Sequence, residues 1–148
     1  MSMKPRKELY VAELMFNLAR FVDESAIYDS STIVKELPDN CFLSQYINGG
    51  YNAFTAIYAE EDVLTEFAAK YSKFKIDKYD ALVNELIGDF LNLHNGLFIV
   101  NLSDTEDVDA SLDVPILEKP EKAFELFGTT YILPVEFDFG TVNFVLSE

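Results

Sequence analysis

The sequence has no tryptophan, one cysteine, one histidine and only 11 basic residues in 148. Each shortage excludes something. Cys41 has no partner in the chain for a disulfide, which suits the cytosol, and no nucleophile signature surrounds it, so it reads as a small buried apolar residue. His94 and one distant cysteine make no metal constellation, so no metal or cofactor is expected. With 26 acidic residues against 11 basic ones the net charge is −15, a field that repels phosphate backbones and argues against nucleic acid as a partner. A partner for such a surface would present a basic patch or a buried lysine. No run reaches the roughly 18 apolar residues that span a bilayer, so no membrane association is expected. The opening "MSMKPRKELY" is charged with no apolar stretch behind it; the expectation is no secretory signal and a cytoplasmic location. Glycine is scarce too, and "NGG" does not match a phosphate-cradling loop.

Apolar material is plentiful: 49% of the chain is hydrophobic, with 13 Phe and 8 Tyr, enough for the core of a single domain over residues 1–148. Val11, Leu14, Met15, Leu18 and Val22 recur at helical spacing and predict a helix from Pro5 to Val22. "AIYDSSTIVKEL" and "NCFLSQYIN" are β-branched and aromatic runs separated by the turn-like "PDN". Alternation in "YNAFTAIYAE" favours a strand, and "EED" opens a helix to about Tyr71. Asp77 suits the N-cap of a third helix that Asn95-Gly96 would stop. The strand-like "LFIVNL", the acidic loop "SDTEDVD" and "ASLDVPILEK" follow. "KPEKAFELFG" is a short helix or an irregular connection, and "DFG" separates two closing strands as a hairpin turn. The count is three or four helices and about six strands, an α+β domain with helices on a mostly antiparallel six-stranded sheet. "AELMFNLARF" and "NELIGDFLNL" echo each other faintly and suggest a duplicated helix-plus-strands unit.

The stretch "NELIGDFLNLHNG" carries the sharpest pattern. Tyr79, Leu82, Val83, Leu86, Ile87, Phe90 and Leu91 form one broad apolar face. With Glu85 at zero, Asn92 falls near about −20° and Asp89 near about +40°, on the opposite face. Gly88 lies beside them, where glycine costs about 1 kcal/mol relative to alanine and offers bare backbone for something to approach. That something is a partner or simply a neighbouring loop. The first helix has a parallel stripe of Glu13, Asn17 and Arg20, with Phe16 where the later helix has Gly88. By default a polar helix back is a solvated surface. His94, near the end of this helix, reads as a packing or C-terminal residue. "DTEDVD" lacks the central glycine and closing Glu of an EF-hand and reads as a solvated loop.

The order of elements, with "NELIGDFLNLHNG", the strand "LDVP" and the closing "ILPVEFDFGTVNFVLSE", resembles the CheX/CheC family of bacterial chemotaxis phosphatases over nearly the whole chain. The resemblance implies pseudo-repeated helix-and-strand units around the sheet and hydrolysis of the aspartyl phosphate of a CheY-like receiver domain. CheX-type members resemble homodimers and the CheC type a monomer; a long apolar closing strand suits a dimer through sheet edges. The family motif is an Asp or Ser, three residues, Glu, two residues and Asn on an exposed helix. It implies that the Glu pairs with the receiver's lysine while the Asn orients the attacking water, catalysis by positioning. Glu85 matches the motif Glu. The chain departs at Ala81, in the Asp/Ser position, and at Gly88, in the Asn position. Two substitutes lie nearby: Asp89, whose carboxylate disfavours a phosphoryl group, and Asn92, an amide about 5.4 Å further along the axis. Glu13 and Asn17 resemble the motif less closely, with Phe16 at the Asn position.

Three readings follow. The first is a cytosolic phosphatase of a phosphorylated response regulator, with Glu85 as receiver anchor and Asn92 as the water-orienting amide. The second is a catalytically weakened member that binds or scaffolds a receiver. The third is a small acidic structural protein whose stripe faces solvent or a second copy.

Overall fold

A computed structural model describes residues 5–148; the charged opening "MSMK", on which the reading of no leader partly rests, lies outside the described residues. The elements in chain order are α1 (Lys7–Phe21), β1 (Ile27–Tyr28), β2 (Thr32–Val34), β3 (Leu43–Gly49), β4 (Ala53–Tyr58), α2 (Glu61–Ser72), α3 (Ala81–Glu106), β5 (Ala110–Leu112), β6 (Thr130–Phe137) and β7 (Gly140–Ser147). The fold is α+β, and every strand pairing is antiparallel. Among the described residues, no helix is long and apolar enough to cross a membrane.

Among the described residues seven strands stand where six were expected, in the order β1-β6-β7-β4-β3-β5 with β2 also on β6. The first β segment is broken in two along one neighbour, while the strand-like "LFIVNL" belongs to α3. Tyr28 pairs with Val135 and Thr32 with Ile132, so four residues on one side span three on the other. Such an extra residue is a bulge. Pro134 sits opposite the gap and has no N–H to give a ladder there.

The order is symmetric about the central β4–β7 pair. The unit α1, β1, β2, β3, β4 is matched by α3, β5, β6, β7. Each unit's hairpin (β3–β4 or β6–β7) is edged by the short strands of the other unit. The faint echo between the two helices therefore has a counterpart in topology, with α2 inserted between the units.

Side chains alternate strictly between the two faces, as the pleat requires. Leu43, Ile47, Ala53, Ile57, Leu133, Val142, Phe144 and Leu146 meet the helices in the main core. Phe54, Ala56, Ile132 and Val145 point the other way, where among the described residues no helix covers them. There the cover is irregular chain. Leu37 precedes β3, while Phe124, Leu126 and Phe127 come from "KPEKAFELFG", which is a connection rather than a helix. Cys41 lies in this second layer, buried and free, and burial pushes its thiol up to about 12. It packs as a small apolar residue.

α3 differs most from expectation. Asp80, not Asp77, is its N-cap, accepting from the Leu82 N–H at 3.0 Å. The helix also runs through Asn95-Gly96 to Glu106, so "LFIVNL" is helical and Ser103–Glu106 is its last turn rather than loop. Asparagine stops helices when its side chain competes for nearby backbone groups. Here the Asn95 side chain is fully buried and engaged across the core, by the Tyr10 hydroxyl at 2.7 Å and by Gln45 and Thr55 at 2.9 Å each. Gly96 then has nothing within 4 Å of where a side chain would begin, and the helix simply bears its cost. His94 is accordingly mid-helix and fully buried, a packing residue stacked beside Phe90.

Candidate functional site

The apolar face of α3 behaves as its spacing predicts at Val83, Ile87, Phe90 and Leu91, all fully buried, although Leu82 stays half exposed at the helix start. Docking that face on the sheet turns Glu85, Asp89 and Asn92 outward, and all three are exposed. Opposite them runs the chain leaving β5. Leu112, Asp113, Val114, Pro115 and Leu117 form the second wall of a groove of about 450 Å³, whose first wall is Glu85, Gly88, Asp89 and Asn92. Glu85 and Asn92 are seven residues apart on one helix, about 10.5 Å along its axis. One groove thus holds both.

Gly88 is buried, not open. A Cβ at that position would collide with Leu117 Cδ2 and lie 3.7 Å from Pro115 Cβ. The bare backbone is therefore the seat of this chain's own loop, one of the two occupants its sequence position allowed. No side chain can emerge from position 88 into the groove while Leu117 sits there.

Asp89 accepts from the Tyr71 hydroxyl at 2.6 Å, a link between α2 and α3. Burial first, and then the bond to the Asp89 carboxylate, raise the Tyr71 phenol well above its usual range. The phenol therefore stays protonated and donates. Asp113 accepts from Asn48 at 2.7 Å across the β3–β5 edge. With Glu85 these residues give the groove three carboxylates. Among the described residues, no three His, Cys, Asp or Glu side chains come together as metal ligands.

Asn92 is held from behind. Its Oδ1 accepts from Gln45 Nε2 at 2.7 Å, and the same nitrogen donates to the Asp113 carbonyl at 2.9 Å. The corresponding stripe on α1 is interrupted by a buried residue between half-buried Glu13 and exposed Arg20. Asn17 is fully buried, 2.9 Å from His94 Nδ1, and accepts from Arg20 at 2.7 Å; Phe16 is exposed beside it. Glu13 and Asn17 therefore do not form a second groove of the α3 kind.

No family profile and no curated protein matches this chain. Solved structures do. A chain of the CheX–CheY–BeF3–Mg2+ complex from Borrelia burgdorferi superposes with a TM-score of 0.78 at 12% identity, covering 97% of each chain. The chain has the CheX/CheC-like fold. A CheC-like superfamily protein from Shewanella sp. PV-4 gives 0.76 at 19% identity over 95% of each chain. A chemotaxis protein CheX from Desulfovibrio desulfuricans gives 0.74 at 12% over 94% of this chain and 95% of that one. Against this CheX/CheC-like background, sequence reasoning found Glu85, Asp89 and Asn92 on one exposed face. It missed Gln45, Asp113 and Tyr71. Asp113 lies within "LDVP", but nothing local marks a strand Gln or a helix Tyr as a neighbour of this groove.

Proposed function

We propose that this protein is a cytosolic signalling protein that docks a phosphorylated CheY-like receiver domain in the α3 groove and promotes hydrolysis of its aspartyl phosphate. The observation that carries the reading is that Glu85 and Asn92 are both exposed and line one groove, on a fold shared with a CheX whose complex includes CheY, BeF3 and Mg2+. A groove with three carboxylates repels a bare phosphate and suits a partner that brings its own cations. Glu85 is then the anchor for the receiver's lysine, and Asn92 supplies the neutral amide that the motif position cannot. Asp89 remains a charged neighbour tied to Tyr71 rather than a group that meets phosphoryl oxygens.

A specific observation favours a second reading, a receiver-binding module without hydrolysis: Leu117 closes position 88, where the family motif has its Asn. The decay of radiolabelled receiver phosphate separates the two. Acceleration by the wild type, lost in both Glu85→Ala and Asn92→Ala with receiver binding lost only in the former, is the expected result. Binding without acceleration at stoichiometric protein leaves the docking module, and absence of binding overturns both.

A further inference from the structure

The amide of Asn92 is the end of a buried hydrogen-bond chain that runs in one direction. At its inner end the Thr55 hydroxyl donates to the Gln45 carbonyl at 2.7 Å, so its oxygen is left to accept from Asn95 Nδ2 at 2.9 Å. The Tyr10 hydroxyl correspondingly donates to Asn95 Oδ1 at 2.7 Å. The second Asn95 N–H goes to Gln45 Oε1 at 2.9 Å, which turns Gln45 Nε2 toward Asn92 and the Asp113 carbonyl. A backbone carbonyl can only accept. Two such carbonyls, of Gln45 and Asp113, therefore fix every amide between them in one orientation. Tyr10, Gln45, Thr55 and Asn95 are all at most 1% exposed, so water does not compete for the bonds among these four.

We infer that Gln45 is a positioning residue: by donating to Asn92 Oδ1 it commits that oxygen inward and turns the Asn92 N–H donors to the groove. This rests on the proposed receiver reading. Under it, the Asn92 N–H donors face the receiver's phosphoryl group, while Oδ1 is held at the inner wall of the groove. The orientation is pre-set before any partner arrives, so no ordering of the side chain is needed at the moment of reaction.

Two measurements on the full chain test it. In Gln45→Met, close in volume but without donors, the single-turnover decay of receiver phosphate in the saturated complex should fall about tenfold to a hundredfold, as expected for a misplaced group. The receiver concentration at half-saturation should stay within about twofold, because uniform binding is untouched. Val142→Ala, a core truncation away from the chain of amides, should keep the wild-type rate per folded molecule. Independently, the side-chain nitrogen of Asn92 should show a high NMR order parameter in the free wild type and a clearly lower one in Gln45→Met. A Gln45→Met protein whose Asn92 side chain is as ordered as in wild type overturns the inference. So does one that keeps the wild-type rate while Asn92→Ala loses it, and that result leaves the receiver reading standing. If the wild type does not accelerate decay, the hydrolytic reading fails, and the order parameters alone decide the role of Gln45.

Discussion

Leu117 sits on Gly88, filling the place on α3 where the side chain of the motif Asn position would emerge. Gly88→Ala removes a helix cost of about 1 kcal/mol and must displace the tip of Leu117. The two effects oppose, so the net change should be within about 1 kcal/mol. Gly88→Asn is larger and should destabilise by about 1–3 kcal/mol through overpacking. Combined with Leu117→Ala, most of that loss should be recovered. Urea midpoints of the four proteins in a double-mutant cycle measure the coupling; additive effects would show that the two residues do not compete for space.

His94 links acid stability to one buried ring. It is fully buried with one nitrogen 2.9 Å from Asn17 and the other without a partner among the described residues, and burial pushes its pKa down to about 3. The folded state therefore binds fewer protons than the unfolded chain between about pH 6.5 and 3, so stability falls as pH falls through that window. The slope approaches about 1.4 kcal/mol per pH unit, or about 2 kcal/mol lost by pH 5. Carboxylates contribute below this range, so the test is a difference. Urea unfolding from pH 7 to 4 should show a steeper decline for wild type than for His94→Gln. Parallel curves down to pH 5 would mean the ring is protonated in the folded protein.

What could be read from the residues was whatever depends on spacing. The buried face of α3, the outward Glu85, Asp89 and Asn92, the first two helices and the closing hairpin all follow from periods of 3.6 and 2. What could not be read depends on partners distant in sequence. Asn95 reads as a helix stop because its local chemistry is that of a stop; Gln45, Thr55 and Tyr10, at least 40 residues away, make it an interior residue instead. Asn17 reads as surface for the same reason, and its burial comes from His94, 77 residues on. Gly88 carried a signal of close approach, but the identity of Leu117 lay in a loop 29 residues later, on no periodic pattern. The split of β1 from β2 was marked only by Pro134, more than a hundred residues downstream.

The Tyr71–Asp89 bond joins α2 to α3 at the edge of the groove. Tyr71→Phe removes the donor and keeps the ring's packing against Phe90, whose centroid is 5.5 Å away. The pair is solvent-accessible, so the loss in stability should be modest, about 0.5–1.5 kcal/mol. A fall above about 3 kcal/mol in urea unfolding would mean the bond is effectively buried. The accompanying readout is spectroscopic. The difference between wild-type and Tyr71→Phe absorbance near the tyrosinate band should be absent through pH 10, because Tyr71 ionises above the usual phenol range.

Asn95 tests whether the polar chain beneath the groove is structural as well as orienting. In Asn95→Leu the Tyr10 hydroxyl, the Thr55 oxygen and Gln45 Oε1 each lose a partner inside the core. A buried group left unsatisfied costs about 1–3 kcal/mol, and the side chain also changes shape, so a total loss of about 3–5 kcal/mol is expected. Asn95→Leu combined with Tyr10→Phe removes one orphaned hydroxyl and should recover about 1 kcal/mol or more. Thermal and urea unfolding of the single and double variants measure both quantities. Equal stability of Asn95→Leu and wild type would show that the amide chain contributes orientation alone, with its hydrogen bonds offset by the desolvation of the groups that make them.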